Sequence, residues 1–129
     1  MNSLNGIIKH TKTVDGITHV YIEVGNKILS SLILSDDEEY QKEQEVNLLF
    51  KETEVMIATK ESIVSARNSF VSPITLINIG EILAQVEFDF DGIRIVSIIT
   101  KGALYDLKCN IGDEFRWFVK SNEISIQKV

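Results

Sequence analysis

The sequence predicts an all-β protein built from two copies of one small five-stranded barrel, each with one short helix, and three observations carry that prediction. Stretches of alternating apolar and polar residues, Leu83–Phe90 the clearest, are separated by Asp15-Gly16, Gly25-Asn26 and Asp91-Gly92, pairs that favour tight hairpin turns. The chain also echoes itself. With Asn68 laid over Asn2, Phe70 falls on Leu4, Ser72 on Gly6, Ile74 on Ile8 and Ser97 on Ser31, and Lys120 comes close to Lys51. A period of about 60–65 residues calls for a repeat reading before any other. Finally, 129 residues suffice for one average domain or two very small ones, and the echo selects the second, with units at 1–60 and 61–129.

In the first copy, residues 7–11 and 18–24 form a hairpin about Asp15-Gly16. Lys27–Leu34 follows with apolar residues on both faces, as in a strand buried on two sides or shared between subunits. Ser35 then caps a short helix, with Glu38 three residues on and an acidic first turn suited to the positive end of the helix dipole. The run Asp36-Asp37-Glu38-Glu39 reads as a solvated helix start, because contiguous carboxylates diverge around a helix and make a poor metal site. Residues 46–51 and 54–58 supply two more strands. Five strands and one short helix in about 58 residues match the inventory of a small OB-like barrel.

Residues 59–64 link the copies, and the second repeats the plan. Strands fall at 74–79, Leu83–Phe90 and 93–99, and Thr100 caps a helix through Leu107. A turn at Ile111-Gly112-Asp113 leads to Glu114–Val119, and 123–127 is the last strand. A unit this small buries only about 60% of the surface its unfolded chain exposes. Two such units are therefore expected to lean on each other or on another chain, in a homo-dimer or trimer whose interface exceeds about 2,000 Å².

With 44% hydrophobic and 25% charged residues the composition is that of a globular protein, and no apolar run approaches the roughly 20 residues of a membrane helix. Residues 1–9 lack the pattern of a secretory signal, and the single Cys109 cannot form an intramolecular disulfide, so a cytoplasmic location without membrane partners is expected. A net charge of −6 argues against a broad nucleic-acid surface, which needs clustered Lys and Arg. It does not forbid a small anion site, because a few donors and cations in a pocket act within the Debye length of about 8 Å.

No catalytic constellation emerges, and the chain reads as a non-enzyme. Glu87 and Asp89 share one face of a half-buried strand and read as its wet side. His10 and His19 have no Cys, Ser or acid partner at a recognisable spacing, Cys109 reads as a packing residue, and Trp117 alternates with Phe115 and Val119 as a core or interface residue. What remains is Ser65, Arg67, Asn68, Thr100 and Lys120, which bracket the second copy at its start, middle and last strand junction. A planar guanidinium fork, an ammonium, hydroxyls and the amides of a helix start make a plausible shell for a tetrahedral oxyanion. The same residues also fit a surface Arg and Lys with two caps.

Ser65-Ala66-Arg67-Asn68 before an Ile-rich strand, Ile98-Ile99-Thr100-Lys101-Gly102-Ala103, Gly112, and Val119-Lys120-Ser121-Asn122-Glu123-Ile124 together resemble the Mop unit of the TOBE family. The tandem arrangement is similar to molbindins, small cytoplasmic molybdate-binding proteins, and to the effector half of molybdenum-responsive regulators. The resemblance is strong over 65–126 and weaker over 2–58. It implies tandem five-stranded OB-like barrels that bind molybdate or tungstate between subunits, with no other cofactor. Ser65, Arg67 and Lys120 would contact the oxyanion from one subunit, and Thr100 and the backbone near Ala103 from another; Ala66, Asn68 and Ser121 complete the matched set.

Three departures qualify the resemblance. Ser72-Pro73 stands where the family often has Gly, Ala103 where many relatives have Ser, and in the first copy Met1 and Leu34 occupy the positions of Arg67 and Thr100. Of the first-copy contacts only Lys51 remains, as a weaker candidate. The function expected is reversible binding of molybdate or tungstate for storage, homeostasis or sensing. The alternatives are an OB-type module for oligosaccharide or nucleic acid, against which the acidic balance stands, and the detached sensory domain of a regulator.

Overall fold

The computed structural model describes residues 1–34 and 40–129, so the helix expected to begin at Ser35 lies outside the described residues. The rest is almost entirely strand: β1 (Asn2–Val14), β2 (Ile17–Val24), β3 (Lys27–Leu34), β4 (Glu45–Phe50), β5 (Met56–Thr59), β6 (Asn68–Ile79), β7 (Leu83–Phe90), β8 (Ile93–Thr100), β9 (Glu114–Val119) and β10 (Ser125–Lys128). One helix, α1 (Lys101–Leu107), follows β8, and short 3-10 turns at Glu52–Glu54 and Ser121–Glu123 follow β4 and β9. The α1 cap is as expected, Thr100 Oγ1 accepting from the Ala103 amide at 3.1 Å. Both Asp-Gly turns also form, with positive φ at Asp15, Gly16, Asp91 and Gly92, the geometry that suits the right-handed twist of a hairpin.

Two strands are much longer than expected, β1 reaching back to Asn2 and β6 to Asn68. Each bends and serves two partners. β1 pairs with β4 over Asn2 to Ile7 and with β2 over Ile7 to Val14, with a register shift between Ile8 and His10. In β6, Asn68 to Pro73 pair with β9 and Ile74 to Ile79 with β7. Pro73, which has no N–H, thus falls where the strand changes partner and a ladder bond is least missed.

The bend explains a departure noted in the sequence. A Cβ on Gly6 would lie 2.6 Å from both Glu23 O and Ile22 Cγ2, so the first copy needs glycine there. Ser72, at the same place in the second copy, is buried, and its hydroxyl accepts the indole N–H of Trp117 at 3.1 Å.

The two antiparallel sheets run β10-β4-β1-β2-β3 and β5-β9-β6-β7-β8. Each copy was expected to use its own last strand, but the fifth strand of each sheet comes from the other half of the chain. Ser125 of β10 pairs with Leu49 of β4, and Met56 of β5 pairs with Phe118 of β9. The 3-10 turn after β4 packs against β8 and carries the chain over to the second sheet, and the turn after β9 packs against β3 and carries it back.

One contiguous core joins both sheets, from Leu4, Ile22 and Leu48 to Val86, Ile95 and Trp117. Phe50 of β4 stacks on Trp117 of β9 with centroids 6.2 Å apart, and Phe90 meets the indole edge-on at 5.2 Å. Ala84, Val86, Phe88 and Phe90 point inward, as their alternation predicted. On the opposite face Asp89 is exposed, but Glu87 is largely covered: the Arg94 guanidinium binds it and Gln85 donates to it at 2.8 Å. Arg94 holds the Glu87 carboxyl below its ordinary pKa. Among the described residues no helix is long and apolar enough to cross a membrane.

Candidate functional site

Asn68 and Val119 pair at the end of the β6–β9 ladder, so Arg67 and Lys120 are the next residues of their strands at the same end of the sheet. Both are exposed, and among the described residues neither has an ion-pair partner, in a chain whose net charge is −6. Two like charges at one end of a ladder repel. They are placed at low cost only where water or an anion screens them.

Asn68, next to Arg67, is fully buried and has a different task. Its Oδ1 accepts from the Ser30 amide at 2.7 Å, and its Nδ2 donates to the carbonyls of Ser30 at 3.0 Å and Val119 at 3.1 Å. Both hydrogens of the side-chain amide are committed, so the Asn68 side chain has none left to donate, and its bonds to Ser30 and Val119 hold the backbone next to Arg67. Ser121 is also buried, its hydroxyl 2.5 Å from that of Ser30. Two hydroxyls sharing one bond leave one O–H hydrogen uncommitted beside the cations. Ser65 is exposed and Ala66 half-buried on the approach to β6, where the chain bends at Ser65 and Arg67.

Arg67 borders a recess of about 110 Å³ with Tyr21, Ile28, Leu29 and Ser30. Tyr21 and Ser30, cross-strand partners on β2 and β3, went unnoticed in the sequence. His19 lies two residues before Tyr21 on the same face, their rings 4.3 Å apart. Burial and then the charges of Arg67 and His10 push the His19 pKa below 6.5. The signal available in the sequence was the polar side of β2, but nothing in it tied that side to Arg67, more than 40 residues on.

Thr100 and Ala103 stand elsewhere, at the junction of β8 and α1, where the Ala103 amide is engaged by Thr100 Oγ1. No hydrogen bond among the described residues joins them to Arg67 or Lys120. Around them the surface is apolar, Ile82 being 76% exposed and Leu83, the cross-strand partner of Thr100, 51%.

The first copy is arranged differently at the matching end. The amino group of Met1, in the place of Arg67, is ion-paired with Glu52 at 2.7 Å. That bond holds the Glu52 carboxyl below its ordinary pKa. Lys51 borders a recess of about 240 Å³ together with Glu54 and Glu123, whose carboxylates repel an anion.

Comparison with solved structures finds the same fold in a crystal structure of the cytoplasmic molybdate-binding protein ModG with molybdate bound. The TM-score is 0.93 over 99% of this chain and 96% of that one, at 21% sequence identity. No family sequence model matches the chain, and no curated protein matches it significantly by sequence. The likeness therefore rests on architecture, since about four residues in five differ.

Proposed function

We propose that this protein binds molybdate or tungstate reversibly, with Arg67 and Lys120 as the principal cations of the site and no chemical change to the ligand. The observation that carries the reading is the pair itself, two unneutralised cations held at one ladder end by the buried Asn68. A spare hydroxyl of the Ser30–Ser121 pair and the recess at Tyr21 adjoin them. The likeness to ModG supports the choice of ligand class.

A second copy of the chain completes the site. Thr100 and the amide end of α1 belong to an exposed apolar surface that includes Ile79, Ile82 and Leu83, the kind of surface that an oligomer covers. Docked against the Arg67 end of a neighbour, it brings the Thr100 hydroxyl to the anion. The two five-stranded sheets, interlocked by the exchange of β5 and β10, then act together as one protomer's share of the interface, and the protein serves as an intracellular store or sensor of the oxyanion.

Titration calorimetry with molybdate, tungstate, sulfate and phosphate, alongside light scattering, tests this. Expected are a mass at least twice 14.6 kDa and tight binding of the two larger dianions. Phosphate near neutral pH carries a proton that needs an acceptor; a shell of donors leaves it unpaired, at a cost of about 1–3 kcal/mol. A monomer, or phosphate bound as tightly as molybdate, overturns the reading.

A further inference from the structure

His19 lies beside the recess that Arg67 borders, and one of its ring nitrogens stands outside every hydrogen bond there. Its Nε2 is buried and has no hydrogen-bond partner, although its ring packs on Tyr21, which borders the recess with Arg67. A buried ring nitrogen without a partner is costly and calls for an explanation. The second copy shows that the fold does not impose it. The position matching His19 holds Gln85, which donates to Glu87, itself bound by Arg94.

The charged and titratable groups that share the His19 face of the sheet follow from the strand register. From β1 come Lys12, its cross-strand partner, and His10, the partner of Tyr21. From β2 itself come Tyr21 and, at the far end of the same face, Glu23. The facing residues of β3, Ile28, Ser30 and Leu32, carry no charge, and Arg67 stands at the mouth of the recess. With the recess empty, the balance around the ring is positive and disfavours a proton. A dianion against Arg67 reverses the sign of that local field and makes a protonated ring favourable.

We propose that His19 is the proton-linked residue of this site: when a dianion occupies the recess, the His19 ring takes up one proton from solvent, so that anion and proton bind together. This deepens the proposed function and rests on the oxyanion occupying the Arg67 end. No bond other than the N–H is made or broken. Thermodynamic reciprocity sets the direction: affinity rises as pH falls from the His19 pKa of the complex toward that of the free protein, by up to about tenfold for each unit between them.

The experiment pairs NMR of the histidine ring protons with calorimetry of molybdate binding in two buffers of different ionisation heat, from about pH 5.5 to 8. Expected are a His19 pKa below 6.5 in the free protein, an increase on adding molybdate, and an increase in free Arg67→Ala. Calorimetry should give net proton uptake that His19→Gln abolishes and His10→Gln keeps. Gln is suited to the fold at this place, since Gln85 occupies the matching one. Molybdate binding without proton uptake, or with the His19 resonance unmoved, overturns the inference and leaves the function standing; absence of molybdate binding to the native protein overturns both.

Discussion

Asn68 grips Ser30 from 38 residues away, exchanging hydrogen bonds with both its amide and its carbonyl, and Asn2 grips Val96 in the same manner at 2.8 and 2.9 Å. The two clamps occupy the same place in the two copies. Each ties the first residue of a long bent strand to the third strand of the other half.

Replacing Asn68 by Ala strips partners from three buried backbone groups, the Ser30 N–H and the carbonyls of Ser30 and Val119. The expected loss is about 2–4 kcal/mol of unfolding free energy, read from denaturant melts. Oxyanion binding should weaken as well, because Arg67 loses its anchor. A melt matching the native protein's would show that water replaces the clamp.

Arg67→Ala and Lys120→Ala each remove a charge-assisted contact to a desolvated dianion, and affinity should fall about 30- to 1000-fold. Unliganded stability should stay level or rise slightly, since the two cations repel. Lys51→Ala, among carboxylates at the matching end of the first copy, should cost far less. Native affinity combined with a lowered melting temperature in the first two variants would mark them as structural residues.

The exchanged strands have a signature in amide hydrogen exchange. Truncation after Ile124 removes β10, whose partner is β4, so protection should fall along Glu45–Phe50 while Glu114–Val119, paired with β5, keeps its own. Were β10 to belong with the second half, β9 would lose protection instead.

Acid should weaken the fold through Glu87. Its folded pKa lies below 4.5 because Arg94 binds the ionised form, so the stabilisation is present above the unfolded pKa and is lost as pH falls through the folded one. Arg94→Met should flatten that part of a stability curve measured from about pH 6 to 3. Arg94 is largely exposed, so added salt should reduce the same effect.

The features legible in the sequence are those set by near neighbours. Asp15-Gly16 and Asp91-Gly92 turn because short local sterics favour positive φ there, Thr100 caps α1 because its hydroxyl reaches an amide three residues on, and β7 alternates because successive side chains point to opposite faces. Arg67 and Lys120 stood out in the sequence as donors that bracket the second copy. Nothing there showed that they share a ladder end.

What no local rule supplied depends on pairing across long stretches of chain. The exchange of β5 and β10, the use of Asn68 as a clamp and the hydroxyl contact between Ser30 and Ser121 join residues 38 to 91 positions apart. Each follows from how two sheets settle on one core around Phe50 and Trp117. The period of two says which way Glu87 and His19 point, but not that Arg94 folds over the first while the second is left without a partner. That depends on which strand lies alongside, and strand neighbours are chosen by the burial and backbone pairing of the whole chain at once.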